Sequence, residues 1–388
     1  MKCSMVIVLL FISIHGNLSE LEEFRKSNVL FTSDLYKELL QVNSGNFIAC
    51  PFSVETVLAL VHAGAEGNTA KELADGLHFP DDSPKIQEFF KLLQLNAQKS
   101  YTLNSVNKLY IANRFSVNED YKTIAKNVFK ADIEKLDFSE NTKAAAVMNN
   151  WVEKQTENKI KDLIMAYYLT VNTVSVLINA IYFNANWEYP FNTDLTKSRS
   201  FRLNPQRKVD VDMMHTIMDA YLYNHDELRA QFLELPYQSD DVTMTFVLPY
   251  DVEGLPALEK NIKSVLQRPN YQNPGQVTMF IPKFKMETQI SLVPIMKNLG
   301  IKDAFSENAN FNRMTVDNHK IHLTQVEQKA FIEVTERGTT AGAATFAISE
   351  DRSFGSTFKA DHPFIFYLRH KVDGILFIGR FVNPAGTK

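Results

Sequence analysis

Glu333-Val334-Thr335-Glu336-Arg337-Gly338-Thr339-Thr340-Ala341-Gly342-Ala343-Ala344-Thr345-Phe346-Ala347-Ile348-Ser349 decides how this chain is to be read. Its first residues finish a strand, predicted from Ile321 to Val334 by β-branched and apolar content. From Gly338 to Ser349 no residue is charged; charge returns only at Glu350-Asp351-Arg352, before Ser353 and the polar run to Thr357. If the segment extends, Thr339, Ala341, Ala343, Thr345, Ala347 and Ser349 share one face. All six are small and uncharged, so that face fits a packed core, whereas a loop needing only solubility has no reason to exclude charge. The next strand starts near Phe364, leaving about 25 residues between the two, more than compact domains usually leave structureless. The stretch reads as a loop that can also become a central strand.

Outward from this loop the chain divides in two. The N-terminal half is helical: an amphipathic segment through Leu21, Phe24, Leu35 and Leu39, a nearly apolar helix over Val54–Ala65 with Ser53 placed to cap it, and helices over Pro84–Gln98, Asn118–Phe129 and Thr142–Leu163. Ser105–Ile111 is strand-like between them. From Thr170 strands dominate: Val174–Phe183, Thr243–Leu248, Val277–Lys285, Ile321–Val334, Phe364–Arg369 and Ile375–Phe381, the last two joined by a turn at Val372-Asp373-Gly374. Helices first and strands later, with no linker or repeat, predict one large α+β unit.

Composition narrows the function. The 388 residues are 45% hydrophobic, which excludes global disorder, and carry 41 Lys+Arg against 45 Asp+Glu, which gives no electrostatic reason to expect nucleic acid. Lys2 followed by the apolar run Met5–Ile12 reads as a signal peptide over residues 1–16, with a secreted mature chain from near Asn17. No later apolar run is long enough for a membrane anchor. Removing Cys3 leaves Cys50 alone, so the mature chain has no internal disulfide and its core must supply the stability. Asn17-Leu18-Ser19 is a sequon almost at the cut.

The stretch Glu333–Ala344 resembles the hinge of the serpins, the serine protease inhibitor family, and Phe358–Phe366 is similar to that family's C-terminal signature. Asn179-Ala180-Ile181-Tyr182-Phe183 with Trp187, Ile281–Glu287, Leu299–Ser306 and Gly379–Pro384 also match, so the resemblance covers the chain from about Phe24 onward. It implies a single domain, 17–388, with three β-sheets, eight or nine helices and an exposed reactive-centre loop over about 336–360. It implies a monomer that is no enzyme but a bait for a protease, cleaved fourteen residues after the hinge glycine, at Arg352–Ser353. Independently, Arg352 is the one basic residue between Gly338 and Thr357. An arginine there calls for a trypsin-like partner; a shifted register at Phe346 or Phe354 would call for a chymotrypsin-like one. The hinge residues are Glu336, Gly338, Thr339, Thr340, Ala341, Gly342, Ala343 and Ala344. Ser53, Asn179 and Gln328 correspond to the shutter beneath the sheet that opens, and Trp187 to the breach above it. Cys50 and Gln328 depart from the family's serine and histidine, and Thr340 from its commoner acidic residue.

Other chemistry is weakly supported. There is no nucleophile elbow, dinucleotide loop, P-loop or His-Glu-x-x-His, and His319 with His322 lacks metal-ligand spacing, so no catalytic residue, metal or required cofactor is expected. Lys85, Lys91 and Lys99 span about a third of one helix's circumference and form the candidate site for a heparin-like sulfated polysaccharide, against the plainer reading of a solvated lysine face. The rival on the same fold is a non-inhibitory carrier or storage serpin, which would carry bulky or charged hinge residues that this chain lacks.

Overall fold

The computed structural model describes residues 2–80, 82–93, 101–238, 241–316, 320–339, 355–372 and 374–386, with side chains from residue 19 onward apart from those of 101, 102 and 104. Among them are nine α-helices: α1 (Lys2–Val42), α2 (Pro51–Ala63), α3 (Gly67–Gly76), α4 (Ser83–Leu92), α5 (Glu119–Asn127), α6 (Asn141–Gln155), α7 (Leu255–Lys260), α8 (Ile262–Val265) and α9 (Leu292–Asn298). The strands are β1 (Phe47–Ala49), β2 (Tyr101–Ala112), β3 (Asp132–Leu136), β4 (Ser175–Asn186), β5 (Lys197–Arg202), β6 (Lys208–His225), β7 (Ala230–Pro236), β8 (Val242–Pro249), β9 (Gly275–Pro282), β10 (Phe284–Ser291), β11 (Gln325–Val334), β12 (Gly338–Thr339), β13 (Ser356–Lys359), β14 (Phe364–His370) and β15 (Gly374–Phe381).

They make the three sheets expected. The central sheet runs β10-β11-β4-β2-β3, with β12 against β4. The other two share the long β6: its first part pairs with β5 and β9, and β9 with β13, while its last residues pair with β7 and lead through β8, β14 and β15 to β1. In the central sheet β4 and β11 are parallel neighbours, from Gln325 opposite Val176 to Phe331 opposite Tyr182.

The continuous apolar run of β4 follows from burial on both faces. Leu177, Ile181, Phe183 and Ala185 join the main core with α2, whereas Val176, Ile178, Ala180 and Tyr182 lie under α6 with Met148 and Val152. Helix α2 is buried along its whole length, which is why its sequence shows no polar stripe.

Several expectations need correction. Ser53 does not cap α2: the helix starts at Pro51, after Cys50, whose side chain makes no capping bond, so Ser53 is a helical residue with its hydroxyl used elsewhere. Helix α6 stops at Gln155 because Glu157, Asn158 and Asp162 take positive φ. The strand expected over Val277–Lys285 is two, separated at Lys283, whose N–H turns to Asp212 O (2.8 Å). Strand β11 begins at Gln325, because Leu323 and Thr324 bond to Ala304 and Ser175 instead. Helix α4 ends at Leu92, where Leu93 becomes extended. Helices α3 and α7 to α9 and strands β1, β3, β5 to β7 and β13 have no counterpart among the sequence expectations. Asp373 of the expected turn lies outside the described residues.

Candidate functional site

The contact between β4 and β11 is bridged by side chains as well as backbone. Gln328 and Asn179 stand opposite each other, both fully buried. The Gln328 amide donates to Asn179 Oδ1 (2.6 Å) and to Cys50 O (3.0 Å), and its Oε1 accepts from Cys50 N (3.0 Å). Asn179 Nδ2 donates in turn to Ser53 Oγ and to Asn107 Oδ1 (2.6 Å), and Ser53 Oγ lies 2.8 Å from Ser105 Oγ. One polar chain thus links α2, β2, β4 and β11 inside an apolar core, where each member needs its partners.

This arrangement gives Gln328 a role that suits a glutamine. A glutamine amide carries donor and acceptor side by side and exchanges two bonds with the backbone of Cys50. The thiol of Cys50 is not part of the bridge; it is fully buried, and burial pushes it well above the usual range, so it stays protonated and inert. Sequence reading found Ser53, Asn179 and Gln328 but missed Ser105 and Asn107. Their only signal was two small polar residues two positions apart, on the face that the register brings against Asn179, and Asn104 and Lys108 beside them in β2 mask it.

Above this bridge the two strands part and the chain returns between them. Thr335 and Gly338 exchange backbone bonds (Thr335 N to Gly338 O, 2.8 Å; the reverse, 3.2 Å) in a tight turn, after which β12 runs antiparallel to β4, Gly338 opposite Asn186 and Thr339 opposite Ala185. Gly338 has φ +137°, and a Cβ there would run into Ala185 O and lie 2.6 Å from Asn186 Cα, so only glycine fits. Trp187 holds the turn: its indole N–H donates to Thr335 O (3.0 Å) and its backbone N–H to Arg337 O (2.9 Å). Its ring stacks on Tyr237 at 4.4 Å, and Tyr237 OH lies 3.1 Å from the hydroxyl of the fully buried Thr339. Glu336 is buried, paired with Lys283 (3.0 Å) and accepting from Thr196 Oγ1 (2.9 Å). Burial alone would raise its carboxyl, but its own N–H, Lys283 and Thr196 outweigh that and hold it below the usual range.

The far end of the loop is fixed in another sheet, where β13 pairs with β9. Just beyond, Asp361 takes Arg202 (2.7 Å), Lys359 (3.0 Å) and His362 Nδ1 (2.9 Å), and His362 Nε2 donates to Pro249 O (2.8 Å). Against its burial, His362, Arg202 and Lys359 together pull the Asp361 carboxyl far below the ordinary range. The loop is therefore strung between the top of the central sheet, at Thr339, and the edge of its neighbour, at Ser356.

The expected reactive bond, Arg352 and Ser353, lies outside the described residues, as do Thr340, Ala341, Gly342, Ala343 and Ala344. Of the lysine face, Lys85 pairs with Glu23 (2.8 Å) and Lys91 with Glu88 (3.4 Å), while Lys99 is outside the described residues. His319 is outside them too, and no grouping of His, Cys, Asp or Glu that could hold a metal occurs among the described residues.

The parallel pair β4–β11 is bridged below by Gln328 and Asn179, and above it Gly338 and Thr339 pair with β4. Comparison with known proteins names the class. Residues 26–384 match the family model Serpin (serine protease inhibitor). The chain is 35% identical over 379 residues to antichymotrypsin-2 of Bombyx mori, covering 95% of this chain and 99% of that one. It is 33% identical over 395 residues to antitrypsin of Bombyx mori, covering 98% and 99%. The crystal structure of Serpin48, a highly specific serpin in the insect Tenebrio molitor, aligns with a TM-score of 0.88 at 38% identity over 93% of this chain and 98% of that one. The chain belongs to the serpin family.

Two outcomes follow from this geometry. Gln328→Ala leaves Asn179 Oδ1 and both backbone groups of Cys50 without their partner, which costs about 2–4 kcal/mol; its first urea unfolding midpoint falls below wild type, and an unchanged midpoint contradicts the bridge. Because the folded Glu336 carboxyl is depressed, its contribution is complete above the ordinary glutamate value, about 4.3, and is lost as pH falls through the folded value. Glu336→Gln is therefore less stable than wild type at pH 7, and the gap narrows on acidification; a constant gap contradicts the depressed carboxyl.

Proposed function

We propose that this protein is a secreted suicide-type inhibitor of trypsin-like serine proteases, cleaved at Arg352–Ser353 and trapping the acyl-enzyme by inserting its loop into the central sheet. Attack by the protease's serine on the Arg352 carbonyl carbon breaks the bond to the Ser353 nitrogen, which leaves as the amine after taking a proton from the protease's histidine. The acyl-enzyme ester stays attached to Arg352. Secretion is supported by the charged start and apolar run at the N-terminus, and no described helix is long and apolar enough to cross a membrane.

The observation that carries the trapping step is the register of β12. Extending the pairing of Gly338 with Asn186 down β4 sets Ala341 opposite Phe183, Ala343 opposite Ile181 and Thr345 opposite Asn179. Those positions of β4 face the main core, so the small uncharged set falls where a core needs it. Gly342 and Ala344 fall opposite Tyr182 and Ala180, beneath α6. Thr345 arrives where Gln328 now holds Asn179, and its hydroxyl can take over that bond. The fourteen residues from Thr339 to Arg352 make roughly 46 Å of strand, enough to carry an attached protease along the length of the sheet.

The test is a denaturing gel of the mature protein with trypsin and the mass of the released C-terminal peptide. A stable covalent band with a peptide starting at Ser353 is expected; cleavage at Arg352 with no covalent band, from trypsin and from other Arg-specific proteases alike, would move the protein to the carrier or storage class. Ala341→Arg drives a guanidinium against Phe183 on insertion. It is expected to be cleaved after Arg352 at the wild-type rate while losing at least 90% of the covalent band, by order of magnitude; full retention of the band would refute insertion as the trapping step.

A further inference from the structure

We propose that Glu55 is a proton-operated latch: as a neutral acid it closes the junction of α1, α2 and β15, and loss of its proton in mildly alkaline surroundings loosens α2 and, with it, the polar bridge across β4 and β11. The latch belongs to the uncleaved chain and needs no protease; its bearing on trapping rests on the reading above, that the loop enters this seam.

Glu55 is a carboxyl shut inside apolar packing. Every residue of α2 is buried, and Glu55 is 0% exposed. Asn28 of α1 is its one hydrogen-bond partner among the described residues: Nδ2 donates to Oε2 (2.7 Å), while Oε1 is buried with none. The same amide donates to Ile375 O (3.2 Å) and accepts from Ile375 N (2.7 Å), so it holds the start of β15 as well. The junction has no slack, for Gly374 has φ +84° and a Cβ there would lie 2.5 Å from Asn28 Oδ1.

Nothing around Glu55 balances a negative charge. On α1, Thr32 shares the face of Asn28 one turn on and is likewise uncharged. The charges of that helix are used elsewhere, Arg25 on Lys371 O and Asp34 on Lys37 and His78. Tyr36 donates to Glu259, which pairs with Arg380 of β15. Along α2 and its cap the other titratable groups are Cys50 and His62; beside the turn into β15 lie His370 and Lys371, the latter paired with Asp241. Lys71, Lys85 and Lys91 of α3 and α4 pair with Asp75, Glu23 and Glu88, Lys108 of β2 pairs with Glu134, and Tyr121 of α5 donates to Leu60 O. A carboxylate at Glu55 would be a bare charge with one donor, whereas the neutral acid leaves at most one O–H unpaired. Burial accordingly pushes the group up to about 8, with the Asn28 bond alone acting against it.

The same stretch of α2 carries the seam. The backbone of Cys50 is bonded to Gln328, and Ser53 Oγ to Asn179. Glu55 follows Ser53 by two residues, about 200° around the helix, so α2 is held by Ser53 on the sheet side and by Glu55 on the side of α1 and β15. An ionised Glu55 needs water, which enters only as α2 and α1 draw apart, and that shift pulls Cys50 and Ser53 off the bridge.

The direction with pH follows. An unfolded glutamate ionises near 4.3, so between there and about 8 the unfolded chain releases a proton that the closed chain keeps. Stability contributed by the neutral acid is complete below the lower value, is lost up to tenfold in equilibrium constant per pH unit as pH rises, and levels off above the upper one.

The experiment compares the full mature chain with its Glu55→Gln variant from about pH 5.5 to 9.5, without protease. Thermal midpoints are measured together with hydrogen exchange of the segments 176–182 and 325–331, taken as the ratio of wild type to variant at each pH so that the intrinsic pH dependence of exchange cancels. The variant's midpoint is expected to pull ahead of wild type as pH rises to about 8 and then keep a constant lead, and the seam ratio to climb through about pH 8 to on the order of tenfold at pH 9. Parallel midpoints with a constant ratio would overturn the proposal. Diverging midpoints with a constant ratio would leave Glu55 a buried acid with no hold on the seam and equally overturn it. Glu55→Met, of similar length and without a titrating group, gives the same comparison if the glutamine variant does not fold. A covalent band with trypsin alongside parallel midpoints would sink the latch alone, while a missing band would remove its bearing on trapping and leave its titration to be read.

Discussion

The parallel contact between β4 and β11 has to meet two opposed demands. It must be shut, because Asn179 and Gln328 are buried amides whose bonds run across it. In the proposed mechanism it must also open, because a strand placed between them widens the gap by one spacing, about 4.8 Å, which no 2.6 Å hydrogen bond survives. A parallel ladder is slightly the weaker kind of pairing. A strand that enters antiparallel to both neighbours, as Gly338 and Thr339 already do, exchanges one parallel ladder for two antiparallel ones. On the proposed mechanism the native sheet is a state held by its closing contacts, with a better-paired arrangement open to the same chain.

The rest of the molecule supports that arrangement by being unyielding elsewhere. Cys50 is a free, buried cysteine, and rigidity around it comes from packing. Phe24 alone meets Phe52, Phe79, Phe89 and Phe90 at 5.6–6.2 Å between centroids. The two ends of the loop are pinned by different means: Trp187, Tyr237 and the glycine-only turn at one end, and the ion cluster on Asp361 at the other. Neither set of contacts includes a residue between Thr339 and Ser356, so in the proposed mechanism a cut in the loop would free one end of a segment whose first pair is already seated.

What could be read from sequence follows from which physical signals are local. The β4 run was legible because burial on both faces leaves it almost wholly apolar from Val176 to Phe183, and the hinge because a segment proposed to enter a core must be small and uncharged. Gln328 was visible only as a departure; its role needed the register that sets it against Asn179 and the backbone of Cys50, 278 residues away in sequence. Ser105 and Asn107 were missed because their partners lie on other elements. Strand β6 escaped although Val209, Val211 and Met213 alternate with the exposed Asp210 and Asp212, because the adjacent buried pair Met213 and Met214 interrupts the period of two. The lysine face looked uncommitted in sequence, yet Glu23, from a different helix, neutralises Lys85.

The central claim is that the intact chain is held short of its best-paired state, and the thermal unfolding of intact protein against protein nicked once within the loop tests it most directly. The account predicts that nicking at Arg352–Ser353, which removes a covalent bond, raises the unfolding midpoint by at least about 10 °C, because the freed segment enters the sheet. An unchanged or lowered midpoint in the nicked protein would show that the seam does not admit a strand.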